Sequence, residues 1–272
     1  QGIVAGAGAL TLFENTRFQV GESSNDTVLS QQLAAMADVV VMDAFATAHR
    51  THASTVGLIS QAAVACAGPL LLAELAALES ALSAPKRPLI AVVGGAKVSS
   101  KMPVLEALLD KVDVLIVGGG IANTFLKAAG FEIGASLYEP HWVSKVAALL
   151  ALAKEKGVQI PLPLDVVVAT TLSEDALATE KPLNAVLPNE SIFDVGSQTQ
   201  KSYKSLFSKA KTIVWNGPVG VFEYAPFVAG TRALGELSYT STGGGAFLSF
   251  LEGRALPVMT ALMSHASQES VS

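Results

Sequence analysis

The chain has 272 residues, is 50% hydrophobic and 15% charged, and carries a formal net charge of −5. That length exceeds a typical single core, and the composition suits a buried sheet covered by helices better than a disordered or fibrous chain. The acidic balance argues against a broad nucleic-acid or acidic-membrane surface, and a lone cysteine, Cys66, excludes an intrachain disulfide and a cysteine-based zinc site.

Cys66 reads as a small buried hydrophobe of a protein from a reducing compartment. His49, His52, His141 and His265 show no H-E-x-x-H spacing, so a catalytic zinc is not expected. Gln61 and Glu74 interrupt the most apolar region, which leaves no run of the ~18 residues a membrane span needs. The first residues lack a basic leader region, and the chain begins at Gln1 without a Met, as a fragment would.

In chain order, several stretches repeat one plan of apolar run, turn and amphipathic segment. "MADVVVMDAF" runs into "ATAHRTHAST", with Asp43 expected to orient that loop. "VACAGPLLLAELAALESALSAPKRP" reads as one long helix stopped by Pro85 and Pro88, a candidate connector between domains. "RPLIAVVGG" leads into "MPVLEALLDKV", where Val104, Leu105, Leu108, Leu109 and Val112 share a helical face. "VDVLIVGGG" leads into "IANTFLKAAG", and "WVSKVAALLALAKEKG" ends in lysines before Gly157, a C-cap. Residues 170–200 are more polar and read as a surface excursion or short edge strands. "KTIVWNGPVGVFE" and "YTSTGGGAFLSFLEG" place glycine loops between apolar halves. Strand–turn–helix units in series predict α/β structure with parallel sheet flanked by helices.

Ligands of such sheets bind beyond the carboxyl ends of the strands, where the glycine turns fall. In "VVGGAKVSSK", Gly94 and Gly95 allow close backbone approach, and a helix beginning near Val98 would bring Lys97 and Lys101 to one face. Two ammonium groups there suit a polyphosphate; a tight turn with solvated lysines fits the spacing equally. Gly118, Gly119 and Gly120 offer a second approach surface or another tight turn, and they are not G-x-G-x-x-G. Asn216 and Glu223 bracket the Gly-Pro-x-Gly bend at Pro218, either a nucleotide wall or a surface turn. Arg17 of "LFENTRF" and Arg50 of "DAFATAHR" end apolar runs and could grip a phosphate or carboxylate, or serve as structural ion-pair partners.

Together, "LFENTRF", "DAFATAHRTHASTVG", "VVGGAKVSSK", "VGGGIANTF", "WNGPVGVFE" and "STGGGAFLSFLEG" resemble the phosphoglycerate kinases, in the right order and over nearly all of residues 10–258. The resemblance implies two Rossmann-like domains joined by a hinge helix. It implies residues 1–66 as the remainder of a phosphoglycerate-binding domain, 67–87 as the interdomain helix and 88–258 as the nucleotide-binding domain. Residues 259–272 would return to the first. It implies transfer of a phosphoryl group between 1,3-bisphosphoglycerate and ADP in glycolysis, with 3-phosphoglycerate and ATP as the other pair, Mg2+ accompanying the nucleotide, and cleft closure by hinge bending. A cytoplasmic, monomeric habit without nucleic-acid or membrane partner completes that expectation.

Carried over by position, Arg17 and Arg50 match phosphoglycerate-binding arginines, and Arg17, Lys97, Gly243 and Gly244 are the expected catalytic set. Lys97 matches the lysine that follows the transferred group, and Lys101 the lysine on the nucleotide phosphates. Gly95, Gly118, Gly119, Gly120, Asn216, Pro218, Val221 and Glu223 complete the nucleotide site, with Val221 at adenine and Glu223 at ribose. Gly243 to Gly245 match the loop whose helix start faces the transferred group.

The departures are equally specific. The family's R-x-D-x-N-x-P and H-L-G-R-P motifs do not precede "LFENTRF", and Ala46 stands where the family usually has glycine. The GGGDT loop, whose aspartate holds magnesium, is missing at Leu237–Ser238–Tyr239, so no metal ligand is expected in the chain. Either these segments belong to the protein and lie outside the sequence, or the chain is shortened. The first is the expectation, because removing a central strand would leave a gap in a buried sheet. A non-catalytic nucleotide-binding remnant is the alternative; a dinucleotide-dependent dehydrogenase ranks below both.

Overall fold

The computed structural model describes residues 8–83, 85–234 and 241–269. The described chain opens with a 3-10 turn at Thr16–Phe18 and helix α1 (Thr27–Ala34), capped by Asp26, which accepts from the Leu29 amide at 2.9 Å. Strand β1 (Val39–Met42), a 3-10 turn at Phe45–Thr47, a wide turn at Ala53–Gly57, α2 (Leu58–Gln61), β2 (Val64–Ala67) and α3 (Pro69–Leu82) follow. Next come β3 (Leu89–Val93), α4 (Met102–Leu108), β4 (Val114–Val117), α5 (Gly119–Ala128) and α6 (Val143–Lys156). Then β5 (Asp165–Ala169), β6 (Thr179–Pro182), β7 (Ser191–Val195), α7 (Ser197–Lys209), β8 (Thr212–Asn216) and α8 (Ala229–Ala233). Helices α9 (Gly244–Leu251) and α10 (Pro257–Glu269) end the described chain.

These elements fall into two compact units, Gln1–Glu79 with Thr240–Ser272, and Ser80–Tyr239. The division passes through α3.

In the second unit β3 lies between β4 and β8, parallel to both, with Val92 opposite Ile116 on one side and Trp215 on the other. Every residue of β3 and β4 is buried, as their unbroken apolar runs require of strands covered on both faces. Ile90, Val92, Ile116, Val195 and Tyr203 form a core against which Trp215 packs. In a separate antiparallel sheet, β6-β5-β7, the polar 170–200 stretch supplies the outer strands β6 and β7, and Val166 and Val168 of β5 cover Leu126 and Ile133. Buried Asp165 caps α7 by accepting from the Gln198 and Thr199 amides at 2.9 and 2.8 Å. Burial raises its pKa, but these bonds and the Thr199 hydroxyl hold it below the usual value.

In the first unit β1 and β2 form a parallel pair, and α10 packs on α2 and β2. This sheet is less covered than β3: Val39 and Val41 are 51% and 56% exposed.

Four expectations need correction. The segment 64–88 is not one helix: Val64–Ala67 is β2, and α3 starts only at Pro69, since proline is tolerated in a first helical turn and not inside one. Cys66 is exposed, because it lies on the bare side of a two-stranded sheet. The helix after β3 begins at Met102 rather than near Val98, again with a proline, Pro103, in its first turn. The Asp43 carboxylate reaches α3 rather than its own loop: it accepts from the Leu71 amide at 2.8 Å and so caps that helix.

Candidate active site

The three parallel strands of the second unit all end in glycine, and their turns pack backbone against backbone. Gly94 donates to the Asn216 carbonyl at 2.8 Å, Gly118 to Val93 at 3.0 Å and Gly119 to Val219 at 2.9 Å. A methyl group on Gly94 would meet the Pro218 carbonyl, and one on Gly118 would lie 2.5 Å from Val219 Cα. Gly119 and Gly217 have φ of +63° and +85°, conformations that glycine adopts without strain. The glycines therefore make a dense platform at the carboxyl ends of β3, β4 and β8, with the start of α5 set into it.

Lys101 precedes α4 and donates from Nζ to Asn216 Oδ1 at 3.0 Å, joining the β3 and β8 turns by a side-chain bond. Lys97 is exposed on the same turn. The turn is braced by Glu139, which accepts from the Ser99 amide and hydroxyl at 2.7 and 2.6 Å. Burial raises the Glu139 pKa, but the Ser99 bonds and the nearby Lys97 charge together hold it below the usual carboxylate range.

Beside the platform a small, shallow cleft is lined by Gly119, Asn123, Phe193, Asp194 and Val219 among others. Its walls are mostly apolar, with Asn123 fixed by donating to the Leu137 carbonyl at 3.1 Å. Val221 donates to the Phe193 carbonyl at 2.8 Å, so the bend after Pro218 is tied to the cleft wall. Burial pushes the Asp194 carboxyl up to about 6, against the lowering pull of the Gly230 and Val195 amides at 2.7 and 2.8 Å. Glu223 lies further along this bend and is exposed.

In the first unit, Arg17 is exposed on the Thr16–Phe18 turn, and Arg50 is half-buried after the Phe45–Thr47 turn. Buried Glu22 ties the two stretches: it accepts from Thr16 Oγ1 at 3.3 Å and from the Ser54 amide and hydroxyl at 3.0 and 2.5 Å. Gly243 begins α9 against Phe45 and Ala46, and a methyl group on Gly245 would lie 2.7 Å from the His49 ring. A methyl on Gly244, by contrast, would meet open space. The last glycine loop thus sits on the loop that carries Arg50, nearly two hundred residues away in the chain.

Of the residues singled out from sequence, Gly95, Lys97, Lys101, Gly118 to Gly120, Asn216 and Pro218 gather around one platform. Arg17, Arg50, Gly243 and Gly244 belong to the other unit. Sequence reading missed Glu139, Phe193, Asp194 and Glu22. Asp194 had a signal: like Asp43 and Asp165 it is a lone carboxylate at the edge of an apolar strand. Glu139 and Glu22 had none. Among the described residues no group of three His, Cys, Asp or Glu side chains is placed to hold a metal. The side chains that converge here, ammonium groups and an amide, suit anions rather than a resident magnesium ion. The Leu237–Ser238–Tyr239 junction lies outside the described residues.

The family model described as "Phosphoglycerate kinase" matches residues 4–238. The chain belongs to the phosphoglycerate kinase family. Named phosphoglycerate kinases from Coxiella burnetii and Legionella pneumophila (strain Corby) are each 50% identical to it, over 98% and 97% of this chain and 76% and 74% of theirs. The Coxiella match runs over 296 residues against 272 here, so parts of that kinase have no counterpart in this chain. The solved Coxiella burnetii phosphoglycerate kinase superposes with a TM-score of 0.84 at 52% identity, covering 93% of this chain and 72% of its own. That from Pyrococcus horikoshii gives 0.77 at 31% identity, with the same coverage. Phosphoglycerate kinase activity, a glycolytic phosphotransfer between phosphoglycerate and ADP or ATP, is therefore the function of this fold, and the α/β architecture expected from sequence is the one found.

Proposed function

We propose that the second unit holds ADP or ATP at the glycine platform and that the first holds 3-phosphoglycerate or 1,3-bisphosphoglycerate at Arg17 and Arg50. The observation that supports this best is the Lys101–Asn216 bond, which sets a cation at the meeting point of two glycine turns. Gly95, Gly118 to Gly120, Pro218 and Val221 would flank the nucleotide, with Phe193 beside the base and Glu223 accepting from ribose hydroxyls. The acceptor is a carboxyl group: a carboxylate oxygen of 3-phosphoglycerate attacks the γ-phosphorus of ATP, and the bond from that phosphorus to the β-phosphate oxygen breaks. The reverse reaction uses the same groups.

Such a transfer needs positioned cations more than covalent help. Lys97 would follow the moving phosphoryl group, Arg17 would meet its charge from the phosphoglycerate side, and the α9 start at Gly243 and Gly244 would face it. Magnesium enters with the nucleotide as part of the substrate, where it screens phosphate charge. An acyl phosphate is lost if water reaches it, which calls for hinge closure during transfer. The proposal extends to a monomeric cytoplasmic enzyme, in keeping with the single cysteine and net charge of −5.

Hydroxylamine trapping tests the acceptor. With ATP, Mg2+ and 3-phosphoglycerate, the protein should form an acyl hydroxamate, and chelation of the metal should stop it. Nucleotide binding with no hydroxamate and no ADP release would overturn the proposal and favour the remnant reading.

A further inference from the structure

Glu139 lies outside the six motifs quoted above, 40 residues from the Ser99 it touches. Its carboxylate takes the amide and hydroxyl of Ser99 and also engages the Val98 amide. Its own amide donates to Thr124 Oγ1 at 3.2 Å, and that hydroxyl donates to the Gly120 carbonyl at 3.1 Å. One residue thus ties the middle of the lysine turn to the first turns of α5.

The location gives this brace its meaning. Ser99 sits two residues from Lys97 and two from Lys101. Upstream are Gly94 and Gly95, which supply no side-chain stiffness, and α4 does not begin until Met102. Lys101 has its own anchor at Asn216. Lys97 is exposed, and the backbone that carries it is fixed through Val98 and Ser99.

We propose that Glu139 is a positioning residue for phosphoryl transfer, holding the Val98–Ser99 backbone so that the Lys97 ammonium stands where the transferred group passes. This rests on the reading of Lys97 as the phosphoryl-side cation. A carboxylate suits the task because it can only accept, and both Ser99 donors converge on it beside the Val98 amide. An amide in its place turns an NH2 group toward one of those donors.

The test uses Glu139→Gln, Ser99→Ala, their combination and Lys97→Ala in the full chain, with steady-state kinetics and thermal melting. In Glu139→Gln, kcat should fall about tenfold or more, as a small misplacement of a reacting group does, while nucleotide KM stays within about twofold. Ser99→Ala keeps the amide bond and should show the same pattern, weaker. The double variant should lose less than the product of the single losses, because both act through one contact. Lys97→Ala should lose at least as much kcat as Glu139→Gln. If Lys97→Ala loses kcat and Glu139→Gln does not, the positioning role is wrong and the Lys97 reading stands. If Lys97→Ala keeps full kcat, the Lys97 reading falls and takes this inference with it. A Glu139→Gln loss in which kcat and KM worsen together, in step with a lower Tm, marks Glu139 as merely structural and overturns the proposal.

Discussion

The buried Asp194 carboxyl gives the second unit a stability that should depend on pH. Its pKa is raised from 3.8 to about 6, so the folded state holds this proton more tightly than the unfolded chain. The contribution is therefore complete below about pH 4 and is lost as pH rises through about 6. A shift of roughly two units corresponds to about 3 kcal/mol, which is a large part of a domain's stability. Asp194→Asn removes the titration and keeps the size. The amide, like the protonated acid, offers one good acceptor to the Gly230 and Val195 amides. The variant should match the parent near pH 4 and exceed it by up to about 3 kcal/mol at pH 8. Both tryptophans, Trp142 and Trp215, lie in the unit Ser80–Tyr239, so urea unfolding followed by tryptophan fluorescence reads that unit selectively. A stability difference between the two proteins that stays constant from pH 4 to 8 would refute the reasoning.

Four further outcomes are expected. Gly94→Ala forces a methyl group into the Pro218 carbonyl, whose carbon would lie 2.6 Å away, and should cost about 3 kcal/mol or more; tryptophan-monitored urea unfolding measures it. Glu22→Gln leaves a buried donor set with one poor acceptor, so it should cost about 1–3 kcal/mol and raise phosphoglycerate KM more than nucleotide KM; equal effects on both KM values would count against a role in holding Arg17 and Arg50 together. Lys101→Ala should raise nucleotide KM about tenfold or more with phosphoglycerate KM little changed, and Arg50→Ala should do the reverse; steady-state kinetics with each substrate varied decides both.

Much of the fold was legible because apolar runs are a strong signal. The strands at 89–93 and 114–117 could hardly be anything else, being unbroken and followed by glycine. The glycine turns were legible as positions, yet the reason each must be glycine was not, since the atoms that exclude a side chain come from other turns. Pro218 blocks Gly94 across more than a hundred residues of chain. Prolines were the most informative residues for helix starts: Pro69 sets one that periodicity alone put too early, and Pro103, read from sequence as lying in a first turn, lies in the first turn of α4. Carboxylates were the least legible. Glu22 and Glu139 act through donors that lie remote in sequence, and neither carries a residue-type pattern; Asp194 showed only as a lone carboxylate in an apolar run.

The pairing of β3 with β8 also bears on how the chain acquires its activity. β3 meets β4 after a short excursion, but it meets β8 only after the whole segment from Gly94 to Lys211 has been spanned. Loop-closure entropy favours the nearer partner, so β3–β4 is expected to assemble first and β8 to dock late. Asn216 rides on β8, and Lys101 on the turn after β3. A partly folded second unit would then have its lysine turn without the residue that anchors it. Nucleotide should bind the last folding intermediate poorly, and so slow unfolding far more than it speeds folding.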